Sequence, residues 1–159
     1  MERQSYVPLV RMTAVREREL PYGAKRLNDP ALVAELAGQI LKDADREYFL
    51  VISVDAKSKP MAVEIVSVGT ANMAYVELRE VLKHAIINNA VGIILVHNHP
   101  SGDCEPSEID RNLTQRIVKG AAFFGIEVYD HVIVGDGYYS FKESQETLFL
   151  CGRIEGEKE

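Results

Sequence analysis

The apolar run Val91-Gly92-Ile93-Ile94-Leu95-Val96 ends in His97-Asn98-His99-Pro100, and this junction constrains the chain more than any other segment. A short apolar run bounded by turn signals reads as a buried strand. Alternate residues of a strand share a face, so His97 and His99 are expected to point the same way. Pro100 cannot continue a ladder and Ser101-Gly102-Asp103 is turn chemistry, so the strand is expected to stop there. The chain then loops to Pro106 and enters a helix at Ser107, with Asp110 in its first turn. Two imidazoles and one carboxylate are three metal ligands. They leave the fourth position of a tetrahedral zinc open, the arrangement of a catalytic site and not of a structural one. The residues therefore point to metal-assisted hydrolysis.

H-x-H-P followed by S-x-x-D, with ten residues between His99 and Asp110, resembles the JAMM signature of the JAB/MPN metallopeptidase superfamily. The local wording is narrower. Asn88-Asn89-Ala90, then Ile94-Leu95-Val96-His97-Asn98-His99-Pro100-Ser101-Gly102-Asp103, resembles the RadC family, a bacterial branch of that superfamily named for DNA repair. Asp130-His131-Val132-Ile133-Val134-Gly135-Asp136 and Tyr139-Ser140-Phe141 extend the likeness, which covers residues 47 to 144. Two departures stand out. Full-length RadC proteins carry a helix-hairpin-helix-type segment ahead of this domain, so the resemblance is to a short form without it. Leu78 stands where the family often has proline, which bears on a helix start and not on chemistry. The resemblance implies a JAB/MPN-like α-β-α sandwich of cytidine-deaminase-like architecture. It implies one Zn2+ per chain, held by His97, His99 and Asp110, and a peptide or protein substrate cut at a peptide or isopeptide bond.

With 159 residues, the chain is expected to form one domain with a self-sufficient core. The formal net charge of -6 gives nucleic-acid binding no support. Arg3, Arg11, Arg16, Arg18, Lys25 and Arg26 make the N-terminal segment locally basic, but Glu2, Glu17, Glu19 and Asp29 dilute it to a solvated tail. No secretory signal and no run of about 18 apolar residues is present, so neither export nor a membrane span is expected. Cys104 and Cys151 are the only thiols, in keeping with a reducing cytoplasm.

The expected layout is an N-terminal extension over 1–28, a domain over 29–150 and a charged tail over 151–159. Asp29-Pro30 reads as an N-cap and first helical residue of a helix to about Asp45. Strands follow at 47–56 and 61–69, joined by Lys57-Ser58-Lys59-Pro60. A helix at 77–89 leads into the histidine strand, and the Ser107 helix ends near Gly125. A strand at 126–134 and a last one at 138–141 flank the turn signal Asp136-Gly137. The pattern predicts an α/β fold: a mixed sheet with helices on both faces and hairpins at both ends. Exposed strand edges would let copies pair into an oligomer.

A hydrolase of this kind needs a general base. Glu64 is the only charged residue between Met61 and Val76, in a strand that otherwise reads as buried. A lone carboxylate there must be paired, protonated or beside a metal. The resemblance implies that Glu64 takes the proton of the attacking water; Glu80 and Glu77 are weaker rivals on a helix surface. Ser107 has two compatible readings. Ser-x-x-Asp before Ile109, Leu113, Ile117, Ala121 and Phe124 resembles a capping box. The resemblance adds a hydrogen bond from Ser107 to the developing oxyanion, with the backbone free to cap the helix. His84 reads as a partly exposed or satisfied helix histidine, His131 as a core histidine bonded to its neighbours, Asn98 as a residue that supports the histidines from behind or stabilises the loop, Asp103 as a turn former and Cys104 as a loop thiol.

Other readings fail on ligands or class. A zinc deaminase requires H-x-E and P-C-x-x-C, and no C-x-x-C occurs here. Two-metal nucleases prefer several carboxylates, whereas histidine-rich ligation favours zinc. The alternative from another class is a non-catalytic RadC-like scaffold or partner-binding domain acting with DNA-processing proteins.

Overall fold

A computed structural model describes residues 6–23, 26–69, 76–145 and 147–150. The elements run α1 (Pro30–Leu41), β1 (Tyr48–Val54), β2 (Pro60–Val68), α2 (Leu78–Ile87), β3 (Gly92–Asn98), α3 (Glu108–Ala122), β4 (Glu127–Val134), β5 (Tyr138–Ser140), α4 (Phe141–Ser144) and α5 (Thr147–Leu150). The strands form one mixed sheet in the order β2-β1-β3-β4-β5. β3 pairs antiparallel with β1 and parallel with β4, and hairpins close both ends of the sheet. The predicted α/β fold with helices on both faces is the observed one.

Every residue of β3 is buried, as its apolar sequence demands of a strand covered on both faces. Its alternate side chains divide the core. Ile93 and Leu95 join Phe49 and Val51 under α2 and α3, through Val81, Leu82, Ala85, Ile117, Val118 and Ala121. Ile94 and Val96 join Leu50 and Ile52 under α1, through Val33, Leu36, Ala37 and Leu41. His97 and Phe49 are register partners, two positions along from the partners Leu95 and Val51. The His97 imidazole thus lies on the α2/α3 face.

Two boundaries and the burial of one strand differ from expectation for physical reasons. α1 starts as read, with Asp29 Oδ1 accepting from Ala31 N at 2.8 Å and proline next in line. It stops at Leu41 and not Asp45, because exposed Lys42, Asp43 and Asp45 add nothing to its apolar stripe. β2 is an edge strand, not a buried one: Met61, Ile65 and Val68 are exposed. β5 ends at Ser140, whose hydroxyl caps the single turn α4 by accepting from Glu143 N at 3.1 Å. Ahead of the domain, residues 6–23 form no helix or strand, although Leu20 and Leu27 pack on the α1 side of the core. Residues 151–159, the expected charged tail with Cys151, lie outside the described residues.

Asn98 faces away from the histidines beside it and clamps the entry to β1. Its Oδ1 accepts from Tyr48 N at 2.8 Å and its Nδ2 donates to Arg46 O at 3.0 Å. Asn98→Ala would orphan two backbone groups in a partly buried place. It is expected to lower the unfolding free energy by about 1–3 kcal/mol in urea denaturation. A loss below about 0.5 kcal/mol would show that the clamp contributes nothing.

Candidate metal centre

β3 delivers His97 at its last turn of the pleat, and the chain continues in ladder geometry for one more residue, His99 N donating to Val134 O at 2.9 Å. Both imidazoles therefore project from the same side, as alternation requires. The turn predicted after Pro100 follows at once: Gly102 N donates to His99 O at 3.0 Å, and Gly102 takes φ 87°, a conformation suited to glycine. α3 then begins with Ser107 as N-cap and Asp110 as its third helical residue. His97 Nε2 lies 3.1 Å from His99 Nε2 and 3.2 Å from Asp110 Oδ1, and His99 Nε2 lies 3.6 Å from Asp110 Oδ2. The three predicted ligands converge, with ligand atoms within 4.8 Å of one another. Nitrogen and carboxylate donors in this number suit zinc, which fits the residues present.

Each of these three side chains is held from behind. His99 Nδ1 lies 2.7 Å from Asp103 O, which fixes that nitrogen as the donor and leaves Nε2 for a metal. His97 Nδ1 lies 2.8 Å from His131 Nε2, and His131 Nδ1 lies 2.6 Å from Thr114 Oγ1. The His97 ring stacks on Phe49 and the His131 ring on Phe141. His131 is a core histidine bonded to its neighbours, as its apolar strand setting suggests. Its contact with a ligand was not legible, because nothing in the linear sequence relates positions 97 and 131. Burial pushes His131 well below the ordinary histidine range. Asp130 beside it accepts from Ser140 Oγ at 2.6 Å and from the His131 and Lys142 amides, fastening β4 to α4.

The three side chains shift one another's acidity. Burial pushes the Asp110 carboxyl up, but bonds from His97 and His99 prevail and hold it far below the usual carboxylate range. The bond to Asp110 holds His99 above its ordinary 6.5, against a smaller opposing effect of burial.

Ser107 caps α3 through its side chain, not only its backbone. Its Oγ accepts from Asp110 N at 3.2 Å and donates to Asp110 Oδ2 at 2.6 Å, and Ser107 N donates to the same Oδ2 at 2.7 Å. The capping box is complete. Glu64 is not in the three-ligand cluster. It lies on the His97 face of the sheet, in register with Val51 and Leu95. Strand spacing of about 5 Å and a rise of about 3.3 Å per residue put roughly 12 Å between the two Cβ atoms. Its Oε1 accepts from Asn88 Nδ2 at 3.0 Å. Its Oε2 lies 2.6 Å from His84 Nδ1, but without the alignment of a hydrogen bond, so a buried carboxylate oxygen keeps its lone pairs. His84 is thus paired, while Glu80 bonds Lys83 on the exposed side of α2. Asp103 forms its turn by accepting from Glu105 N at 3.0 Å, and Cys104 stays a free thiol in the loop.

A mixed sheet between helices, with two histidines at the end of a central strand and an aspartate from the helix that follows, is a JAB/MPN-like domain. The RadC-like JAB domain family matches residues 27–147. The chain is 43% identical over 121 residues to a UPF0758 protein of Rubrobacter xylanophilus, covering 76% of this chain and 53% of that protein. It is 44% identical over 118 residues to a UPF0758 protein of Desulfitobacterium hafniense, covering 74% and 52%. It is 36% identical over 115 residues to one of Methanosarcina mazei, covering 72% and 50%. The chain belongs to the RadC family. It spans about half the length of the curated relatives it matches. Among the described residues, no helix is long and apolar enough to cross a membrane.

The His99–Asp110 pair sets a pH signature. In chelator-treated protein the raised His99 value stabilises the fold fully below 6.5, and this contribution is lost as pH rises through the folded value. Zinc requires neutral imidazole, so its stabilisation grows over the same interval. Thermal melts at about pH 6 and 8 are expected to show Tm falling with pH without zinc and the zinc-induced gain rising. A zinc-induced gain that is the same at both pH values would contradict the assigned ligands.

Proposed function

We propose that the chain is a zinc-dependent hydrolase of JAMM type that cleaves peptide or isopeptide bonds in a protein substrate. The observation that carries this reading is the convergence of His97 Nε2, His99 Nε2 and the Asp110 carboxylate on one point, each held by a neighbour. Three ligands, and no fourth His, Cys, Asp or Glu in the group among the described residues, describe an open site. Zinc bound there would supply Lewis acidity and bring the acidity of water to about pH 7.

The chain's own residues supply the rest. Glu64 is the proposed general base. It stands on the same sheet face as His97, two strands away, and a general base can act through one intervening water. His84, against Oε2, and Asn88, donating to Oε1, hold the Glu64 carboxylate in place. Glu64 would then return the proton to the leaving nitrogen. Ser107 is proposed to donate to the oxyanion, which requires its hydroxyl to leave Asp110 Oδ2. Ser107→Ala is then expected to cut kcat by about a hundred- to thousandfold.

Metal content is the first test. Mass spectrometry of the purified chain is expected to find about one zinc per chain, lost in a His97→Ala/His99→Ala control. No bound metal after zinc is supplied near neutral pH would remove the hydrolase reading and favour a binding module. Two substitutions then separate the roles. Asp110→Asn is expected to weaken zinc binding, and an unchanged affinity would remove Asp110 from the ligand set. Glu64→Gln is expected to keep the metal and lose turnover of peptide and isopeptide substrates. Wild-type turnover in that variant would show the base assignment to be wrong.

A further inference from the structure

The contacts behind His97 determine where its proton sits. A hydroxyl has one hydrogen to give and lone pairs to accept with. Thr114 Oγ1 lies 2.6 Å from the Asp110 carbonyl oxygen and 2.6 Å from His131 Nδ1. A carbonyl oxygen cannot donate, so the Thr114 hydrogen goes to Asp110 O. The hydroxyl must then accept from His131, which places a proton on His131 Nδ1. His131 is fully buried and its ring bonds no carboxylate, so a second ring proton would carry an unpaired charge into the core. Its Nε2 is therefore bare. The 2.8 Å contact with His97 Nδ1 needs one proton between two nitrogens, and only His97 can provide it.

We propose that Thr114 and His131 act as a tautomer lock, holding a proton on His97 Nδ1 so that Nε2 is the nitrogen left for a metal beside His99 and Asp110. Both are positioning residues. They act through His97 and touch neither metal nor substrate. The device has a structural economy: Thr114 lies one turn after Asp110 on α3, so the helix that brings the carboxylate ligand also orients the proton of the imidazole ligand. β4 contributes only the relay between them. The His97 ring stacks on Phe49 (14° between planes) and the His131 ring on Phe141 (10°), which restrains the rotation of both imidazoles. The consequence for zinc rests on the function proposed above; the proton assignment does not.

The experiment uses the full chain with histidine labelled in 15N, first treated with chelator and then titrated with zinc. Two-bond proton–nitrogen spectra are expected to show His131 protonated on Nδ1 and bare on Nε2 in both states. A proton on His131 Nε2 in either state would overturn the lock. Thr114→Val removes the hydroxyl and is expected to mix the His131 tautomers and weaken zinc, measured by chelator competition, about 10- to 100-fold. Thr114→Ser keeps the hydroxyl and is expected to restore both readouts. Wild-type zinc affinity and tautomer in a folded Thr114→Val protein would also overturn it. Should the valine variant not fold, the spectrum of the unsubstituted chain decides. A chain that binds no zinc would end the hydrolase reading while the His131 spectrum still tests the lock. A chain that binds zinc but cleaves nothing would leave both readouts intact.

Discussion

The parallel pairing of β3 with β4 is the constraint on which the site depends. Two parallel strands cannot be joined by a tight turn; the chain must cross back over one face, here as α3. A crossover helix starts near the end of the first strand, so the N-terminus of α3 must lie close to where β3 lets go of the sheet. His97 and His99 occupy that end of β3, and Asp110 occupies that end of α3. Topology thus brings the three together before any of them bonds another. The helix N-terminus adds a favourable field for the carboxylate, which offsets part of the cost of burying it.

Much of this was readable because it is local. The apolar strand, its halt at Pro100, the cap at Asp29 and the Ser107–Asp110 box each depend on residues a few positions apart, where propensity and periodicity carry real information. The convergence of His97, His99 and Asp110 was readable because two short segments hold all three. What stayed hidden depends on which strand lies beside which. The edge position of β2 is one case: Ala62, Val63, Ile65 and Val66 look like a buried run, and only the strand order shows that one side of β2 has no partner. The His97–His131–Thr114 relay is another, since it joins β3, β4 and α3 through contacts between residues 17 and 34 positions apart. His131, directly before the apolar run Val132-Ile133-Val134, was a signal that some partner must exist, but not which one.

Glu64 shows how a sequence argument can be right about a need and silent about its solution. A lone acid on an apolar strand requires company, and α2 provides it through His84 and Asn88. These two residues lie one helical turn apart, on the face of α2 turned toward β2. Their periodicity was visible, but the direction in which that face would be turned was not.

The helix cap and the contact with His97 use one carboxylate, that of Asp110, in two directions. An ionised carboxylate has about four acceptor sites on two oxygens. In this structure Oδ2 takes the Ser107 amide and hydroxyl, while Oδ1 faces His97. The cap therefore fixes the rotamer that aims the remaining acceptor capacity at the imidazoles. Forming the first turn of α3 and placing the Asp110 carboxylate beside the two imidazoles are then the same local event. Asparagine at 110 could still accept from the cap amide, but it would bring no charge to the imidazoles. The capping role alone would tolerate that exchange; the cluster would not.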